Sequence, residues 1–254
     1  MKKRQVDLVL ILVWPIIASF LSFLFKVNFL GATIFFLILP SIYLSLRDRK
    51  CVARAAIFSL VSMPFAFALE YLAVKNGAWY FPKSIFSMRI FDTIILEVLL
   101  WHFVWIYLVI IYYEYFLDKD AHTQLGSPRL KYPLFSFMAV FILILFSAIY
   151  TLPVRIPYFY LILGIVMVAI PIIVVLFEFP KLLAKFTKVT LYFSYLYLTM
   201  DVTEIALGHW YYPGQFIGWF ELFGQRLPAE ELIFWIILGA AAILSWYQYF
   251  DEKE

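Results

Sequence analysis

Eight apolar runs dominate this sequence, and crossing a hydrocarbon layer of ~30 Å takes about 20 residues each. They lie near residues 7 to 25, 28 to 46, 53 to 74, 91 to 116, 132 to 150, 158 to 177, 185 to 207 and 229 to 249, separated by short polar or Pro/Gly-bearing breaks. A bilayer offers no partners to backbone N–H and C=O groups, so each run is predicted to be a helix. Composition points the same way. Hydrophobic residues make up 65% of the 254 and charged ones only 15%, too little polar surface to cover a water-exposed globule. The expected fold class is all-α, a polytopic membrane protein of eight transmembrane helices. The first run follows Lys2, Lys3 and Arg4, as the core of a secretory signal would. It is too long for one and lacks a small-x-small cleavage site, so it reads as an uncleaved helix.

Charge sets the orientation and removes some function classes. With eight spans, 14 of the twenty Lys and Arg residues fall on one side; Lys26, Lys75, Lys83, Arg89, Arg155 and Arg226 fall on the other. By the positive-inside rule, both termini are expected in the cytoplasm of an integral cell-membrane protein, with the loops around 75 to 90 and 208 to 228 outside. The longest basic run is Lys2-Lys3-Arg4, so nucleic acid is not an expected partner; membrane lipid is. The single cysteine, Cys51, excludes a disulfide framework. There is no Gly-rich strand-to-helix fingerprint, hence no dinucleotide or flavin cofactor is expected, and no nucleophilic Ser/His/Asp set stands out.

An internal repeat carries the most information. Residues 70 to 80 read EYLAVKNGAWY and residues 201 to 211 read DVTEIALGHWY, an acid nine residues before a Trp-Tyr pair in both. Each copy then passes through an aromatic-rich loop to a helix with an acid near its start, Glu97 in FDTIILEVLLWHF and Glu231 in QRLPAEELIFWI. Four helices in each half give both the same orientation, related by an axis along the membrane normal. The expected organisation is a first four-helix repeat over 1–117, a cytoplasmic linker over 118–131 and a second four-helix repeat over 132–254.

Glu70, Asp201, Glu97 and Glu231 all fall near the outer ends of their helices, roughly 5 to 10 Å inside the interface at about 1.5 Å rise per residue. Ionisable groups at that depth are costly unless they face the bundle interior, which makes them functional candidates. The sharpest constellation is Pro228-Ala229-Glu230-Glu231, where proline suits a first helical position. Successive helix residues point about 100° apart, so Glu230 and Glu231 cannot face one partner. Glu231 is expected to face Glu97 across the axis, with Glu230 nearer the loop. Asp201 and Glu204 share a helix face but lack the ligand density of a diphosphate-Mg2+ site, so no metal is expected. His102 and His209 read first as hydrogen-bonded structural residues and second as a proton relay. Trp79, Tyr80, Trp210 and Tyr211 lie where aromatic belts anchor helices or where a substrate is touched.

The acid-to-Trp spacing, Glu70 to Trp79 within NGAWYFP and Asp201 to Trp210, and the Pro-x-Glu-Glu helix start at Pro228 to Glu231 followed by Ile233-Phe234-Trp235, together resemble the small integral-membrane lycopene cyclases of the heterodimeric or fused type. The resemblance covers about residues 30 to 250. It implies a cofactor-free, non-redox cyclisation of the linear ends of a carotenoid polyene to ionone rings. It places the family's glutamate pair on Glu230 and Glu231 and its helix-end aspartates on Asp201 and Glu70. The substrate contacts expected are Trp79, Tyr80, Trp210, Tyr211 and Phe234. Two features depart from the family. Ile94-Ile95-Leu96-Glu97 replaces the first Pro-x-Glu-Glu, and a four-plus-four arrangement replaces the usual seven spans.

The residues themselves fit such chemistry. Ring closure on a polyene needs an acid to protonate a C=C bond, exclusion of water from the carbocation and a base to take the last proton. The catalytic set expected is Glu230 or Glu231 as acid, with Glu97, Asp201 or Glu70 as base or orienter. The 54 Phe, Tyr and Trp residues supply faces for a passing cation. Two rivals stand beside the cyclase: a carotenoid hydratase that quenches the same cation with water, and a transporter or lipid-binding subunit with no chemistry of its own.

Overall fold

The computed structural model describes residues 3 to 118 and 156 to 251, with positions 135, 136, 138, 139, 142, 143 and 146 between them. Five helices are long and apolar enough to cross a membrane: α1 (Lys3–Phe25), α2 (Phe29–Arg47), α3 (Val52–Lys75), α4 (Leu96–Asp118) and α5 (Phe159–Glu178). Next comes α6 (Leu183–Ala206), 24 residues long, whose lysines, acids and tyrosines leave it less apolar. The C-terminal run is broken into α7 (Glu231–Ile237), a π-helical segment, and α8 (Gly239–Asp251), bent by 51°. Counting the bent pair as one crossing makes six spans among the described residues. Most of the expected span at 132 to 150 and nearly all of the 118–131 linker lie outside the described residues.

Two expectations are corrected locally. Residues 91 to 95 were expected to begin a helix, and both outer loops to be free of strand. Instead β1 (Arg89–Ile90) pairs with β2 (Ile94–Ile95), and β3 (Trp219–Leu222) pairs with β4 (Gln225–Pro228), as antiparallel hairpins. Phe91 and Asp92 turn the first at φ 51° and 54°, and Phe223 and Gly224 the second at 51° and 77°. Two consecutive left-handed residues match the right-handed twist of paired strands.

Proline accounts for two of the helix irregularities. A proline inside a helix removes an N–H and crowds the preceding turn. Here α2 and α5 each widen into a π turn, Ile34–Ile38 and Ile165–Ala169, just before Pro40 and Pro171. The spacing between those prolines, 131 residues, recurs along the chain. It separates the starts of α3 and α6, their ends, and the glycines that follow, Gly77 and Gly208, at φ 73° and 72°. Each helix stops in the same way. The N–H groups of Ala78 and His209 bond back to the carbonyls of Ala73 and Glu204, and the left-handed glycine completes the cap. Beyond it, Tyr80 and Tyr211 exchange backbone hydrogen bonds, N to O at 2.9 and 3.1 Å, and set their rings in a tilted contact at 5.4 Å, tying the two outer loops together.

Helix α4 is the core. Its spanning window is 72% buried, against 22 to 44% for the other four, and Leu108 to Ile111 are inaccessible. The outward faces of α1 and α5, with Ile16, Phe20, Ile173 and Phe177, are apolar and exposed, as lipid-facing surface is. At the end away from the hairpins, ion pairs Asp7–Arg47, Glu114–Arg54 and Asp118–Lys185, at 3.0, 3.0 and 2.7 Å, satisfy buried carboxylates.

Candidate functional site

A cavity of about 130 Å³ lies among α2, α3, α4, α5, α6, the α7–α8 pair and the tips of both outer loops. Six of the eight tryptophans line it: Trp79, Trp101, Trp105, Trp210, Trp235 and Trp246. Its ionisable lining consists of Glu70, His102 and Glu231 with the phenols of Tyr160, Tyr197 and Tyr212; no lysine or arginine is present among the described lining residues.

Glu231, on the first turn of α7, accepts a hydrogen bond from the Tyr160 hydroxyl, and the Tyr197 and Tyr212 hydroxyls stand beside the same carboxyl. Tyr212 also reaches Asp201, at 3.4 and 3.5 Å to its two oxygens, and accepts from the Trp210 indole N–H at 3.2 Å. Burial, followed by the nearby Asp201 carboxyl, pushes the Tyr212 phenol up, so it remains a donor. One hydroxyl has one hydrogen to give. With Asp201 and Glu231 both against it, only one can receive that hydrogen; the other bonds to it only by carrying its own proton. Asp201 and Glu231 thus approach the same hydroxyl from two sides, with Glu231 also served by Tyr160.

In the same lining, Glu70 near the end of α3 accepts from the Trp79 indole N–H at 2.9 Å, with the His102 Nε2 atom 3.3 Å from its second oxygen. The Trp79 ring meets Tyr160 edge-on at 5.4 Å and Trp235 at 6.1 Å, so aromatic faces join the Glu70 side to the Glu231 side.

The structure does not bring Glu231 and Glu97 together, which corrects the expected pairing. Glu97 accepts from Ser84 Oγ and from the Ile85 N–H, at 2.9 and 2.5 Å, and Glu230 accepts from the Ile217 N–H at 2.8 Å. Neither lines the cavity. Both sit where the outer loop folds back on the start of the next helix, so the counterpart of Glu97 is Glu230. The counterpart of Glu231 one residue on is Val98, which does line the cavity. Phe29 and Phe81 likewise stand 131 residues before Tyr160 and Tyr212. The Tyr160–Tyr212–Glu231 set belongs to the second half alone, and the first half contributes Glu70 and His102.

Among the other expected contacts, Trp79 and Trp210 line the cavity, whereas Tyr80 and Tyr211 form the bridge between loops. Phe234 faces away from the cavity and presses on Gly164, where a Cβ would come within 2.2 Å of its ring. Asp201 and Glu204 take different partners, Tyr212 and His209. Tyr160, Tyr197 and Tyr212 were not singled out from sequence. Tyr212, directly after the Trp-Tyr pair, was the one readable signal; Tyr160 and Tyr197 lie in apolar helices with nothing to mark them. Against family models, curated proteins and solved structures, the chain finds no match.

Proposed function

We propose that the chain is a cofactor-free membrane enzyme that cyclises the linear end of a carotenoid polyene, the activity of the lycopene cyclases whose sequence it resembles. One observation carries this reading: Glu231 with its tyrosines and Glu70 with His102 line one and the same tryptophan-rich cavity. In this reading a proton from the Glu231–Asp201 pair adds to the terminal C=C bond of the substrate and leaves a cation on the more substituted carbon. The neighbouring C=C bond attacks that carbon and closes the ring. Loss of a proton from the adjacent carbon to the Glu70–His102 pair restores a C=C bond, so the product is an isomer of the substrate. Indole faces stabilise the passing cation by about 1 to 2 kcal/mol each when water is excluded. Glu97 and Glu230 act here as positioning residues that fix the outer loops over the site.

The architecture that goes with this function is two parallel four-helix repeats making eight spans, with both termini cytoplasmic and the acid-bearing end outside. The recurrence of helix ends, caps and hairpins at matched intervals supports it. Pigment extracted from lycopene-accumulating cells with and without the gene tests the activity. Rings leave the mass unchanged, and hydration adds one water. Glu231→Gln, in protein verified as membrane-inserted, is expected to abolish ring formation; retained ring formation would remove Glu231 from the mechanism.

A further inference from the structure

Beyond the acids, the cavity continues along the broken C-terminal helix. Glu231, Trp235, Gly239, Ala242 and Trp246 all line it. Their spacings of four, four, three and four residues keep one continuous face through the 51° bend. Fifteen residues at about 1.5 Å each make a slot of roughly 20 Å, two thirds of a ~30 Å hydrocarbon layer. Its far end is marked by Trp246, whose indole N–H reaches the Met167 carbonyl at 3.4 Å in the π turn of α5.

We infer that this slot holds a single neutral, headgroup-free isoprenoid chain end-on, its reacting end at Glu231 and its remainder along Gly239 to Trp246. Charge selects the occupant. A phospholipid or a prenyl diphosphate would bring phosphate toward Glu70 and Glu231, with no lysine or arginine among the described lining residues to receive it. A neutral polyene brings nothing to repel. Asymmetry sets its direction, because Val98 holds the matched position to Glu231 and only the second half supplies the Tyr160–Tyr212–Glu231 set. A chain with two reactive ends must therefore leave and re-enter reversed for its second end to react.

Gly239 is the position on which to test this. A Cβ there would meet only the Phe234 carbonyl, at 3.6 Å, so the backbone accepts a larger residue whose side chain would occupy the slot. The inference rests on the cyclase reading for the identity of the reacting end, so binding is measured apart from turnover. Purified Glu231→Gln protein in lipid nanodiscs is titrated with lycopene and followed by polyene absorbance. It is expected to bind one equivalent. Adding Gly239→Leu is expected to weaken binding roughly tenfold or more, as overfilling a packed site does. A short acyclic polyene ending before residue 239 is expected to bind both proteins alike. Competition by geranylgeranyl diphosphate or by short-chain phosphatidylglycerol at comparable affinity would overturn the neutral-chain assignment, and equal lycopene binding with and without Gly239→Leu would overturn the slot. Slot-dependent binding with no rings from the unmutated protein would leave the slot standing and remove the cyclase reading. Rings formed equally well by the Gly239→Leu enzyme would do the reverse.

Discussion

Glu97 and Glu231 are both buried first-turn acids, yet the side chains around them assign different work. Glu97 satisfies a serine hydroxyl and a backbone N–H. A glutamine keeps an acceptor oxygen there, so Glu97→Gln is expected to retain most of the ring-forming activity. Glu97→Ala removes the acceptor of the Ser84 hydroxyl and the Ile85 N–H and is expected to lower stability by about 0.5 to 1.5 kcal/mol, read as a drop in thermal midpoint in detergent. Tyr212→Phe removes the hydroxyl between Asp201 and Glu231 while preserving the ring. It is expected to lower kcat at least tenfold with little change in KM, since a shared proton affects the reaction more than binding. At this scale the sequence was half legible. Burial cost singled out Glu70, Asp201 and Glu231, because an acid in an apolar helix needs a reason. The same rule could not separate Glu97 from Glu231: both are acids at the same depth, and only the fold-back of the loops shows which one finds backbone donors. Tyrosines raise no such flag, as one more aromatic in a chain with 18 of them.

Among elements, the contact of α5 with α7 is the least forgiving. Phe234 fills the space that a side chain at residue 164 would need. Gly164→Ala is expected to cost about 1 to 3 kcal/mol through overpacking, with partial recovery on adding Phe234→Leu, measured by thermal unfolding of the single and double variants. Helix positions were legible because hydrophobic length is a strong signal; α2, α3, α5 and α6 begin and end within two residues of the apolar runs. The hairpins were not, because Phe-Asp and Phe-Gly are weak turn signals beside Asn-Gly, and strands of two to four residues leave no periodicity to detect. The break at residue 238 was hidden for a related reason. The run is apolar throughout, and hydropathy does not register a π turn.

For the molecule as a whole, the orientation proposed from charge has a direct check. In a Cys51→Ser background, a cysteine at exposed Lys83 is expected to react with a membrane-impermeant maleimide on intact cells. One at exposed Arg49 is expected to react only after permeabilisation. The opposite pattern would invert the topology and put the acids at the cytoplasmic face. The two halves also meet where chemistry is proposed. Matched positions surround the hollow, and in three of them a phenylalanine or valine on one side stands for a tyrosine or glutamate on the other. Such a chamber has a head and a tail, and a molecule lying in it reads a different wall on its left and on its right. Exchanging Phe29, Phe81 and Val98 for Tyr, Tyr and Glu would blunt that handedness, leaving Ala66 against Tyr197 and His102 against Trp235 as what still tells one end from the other.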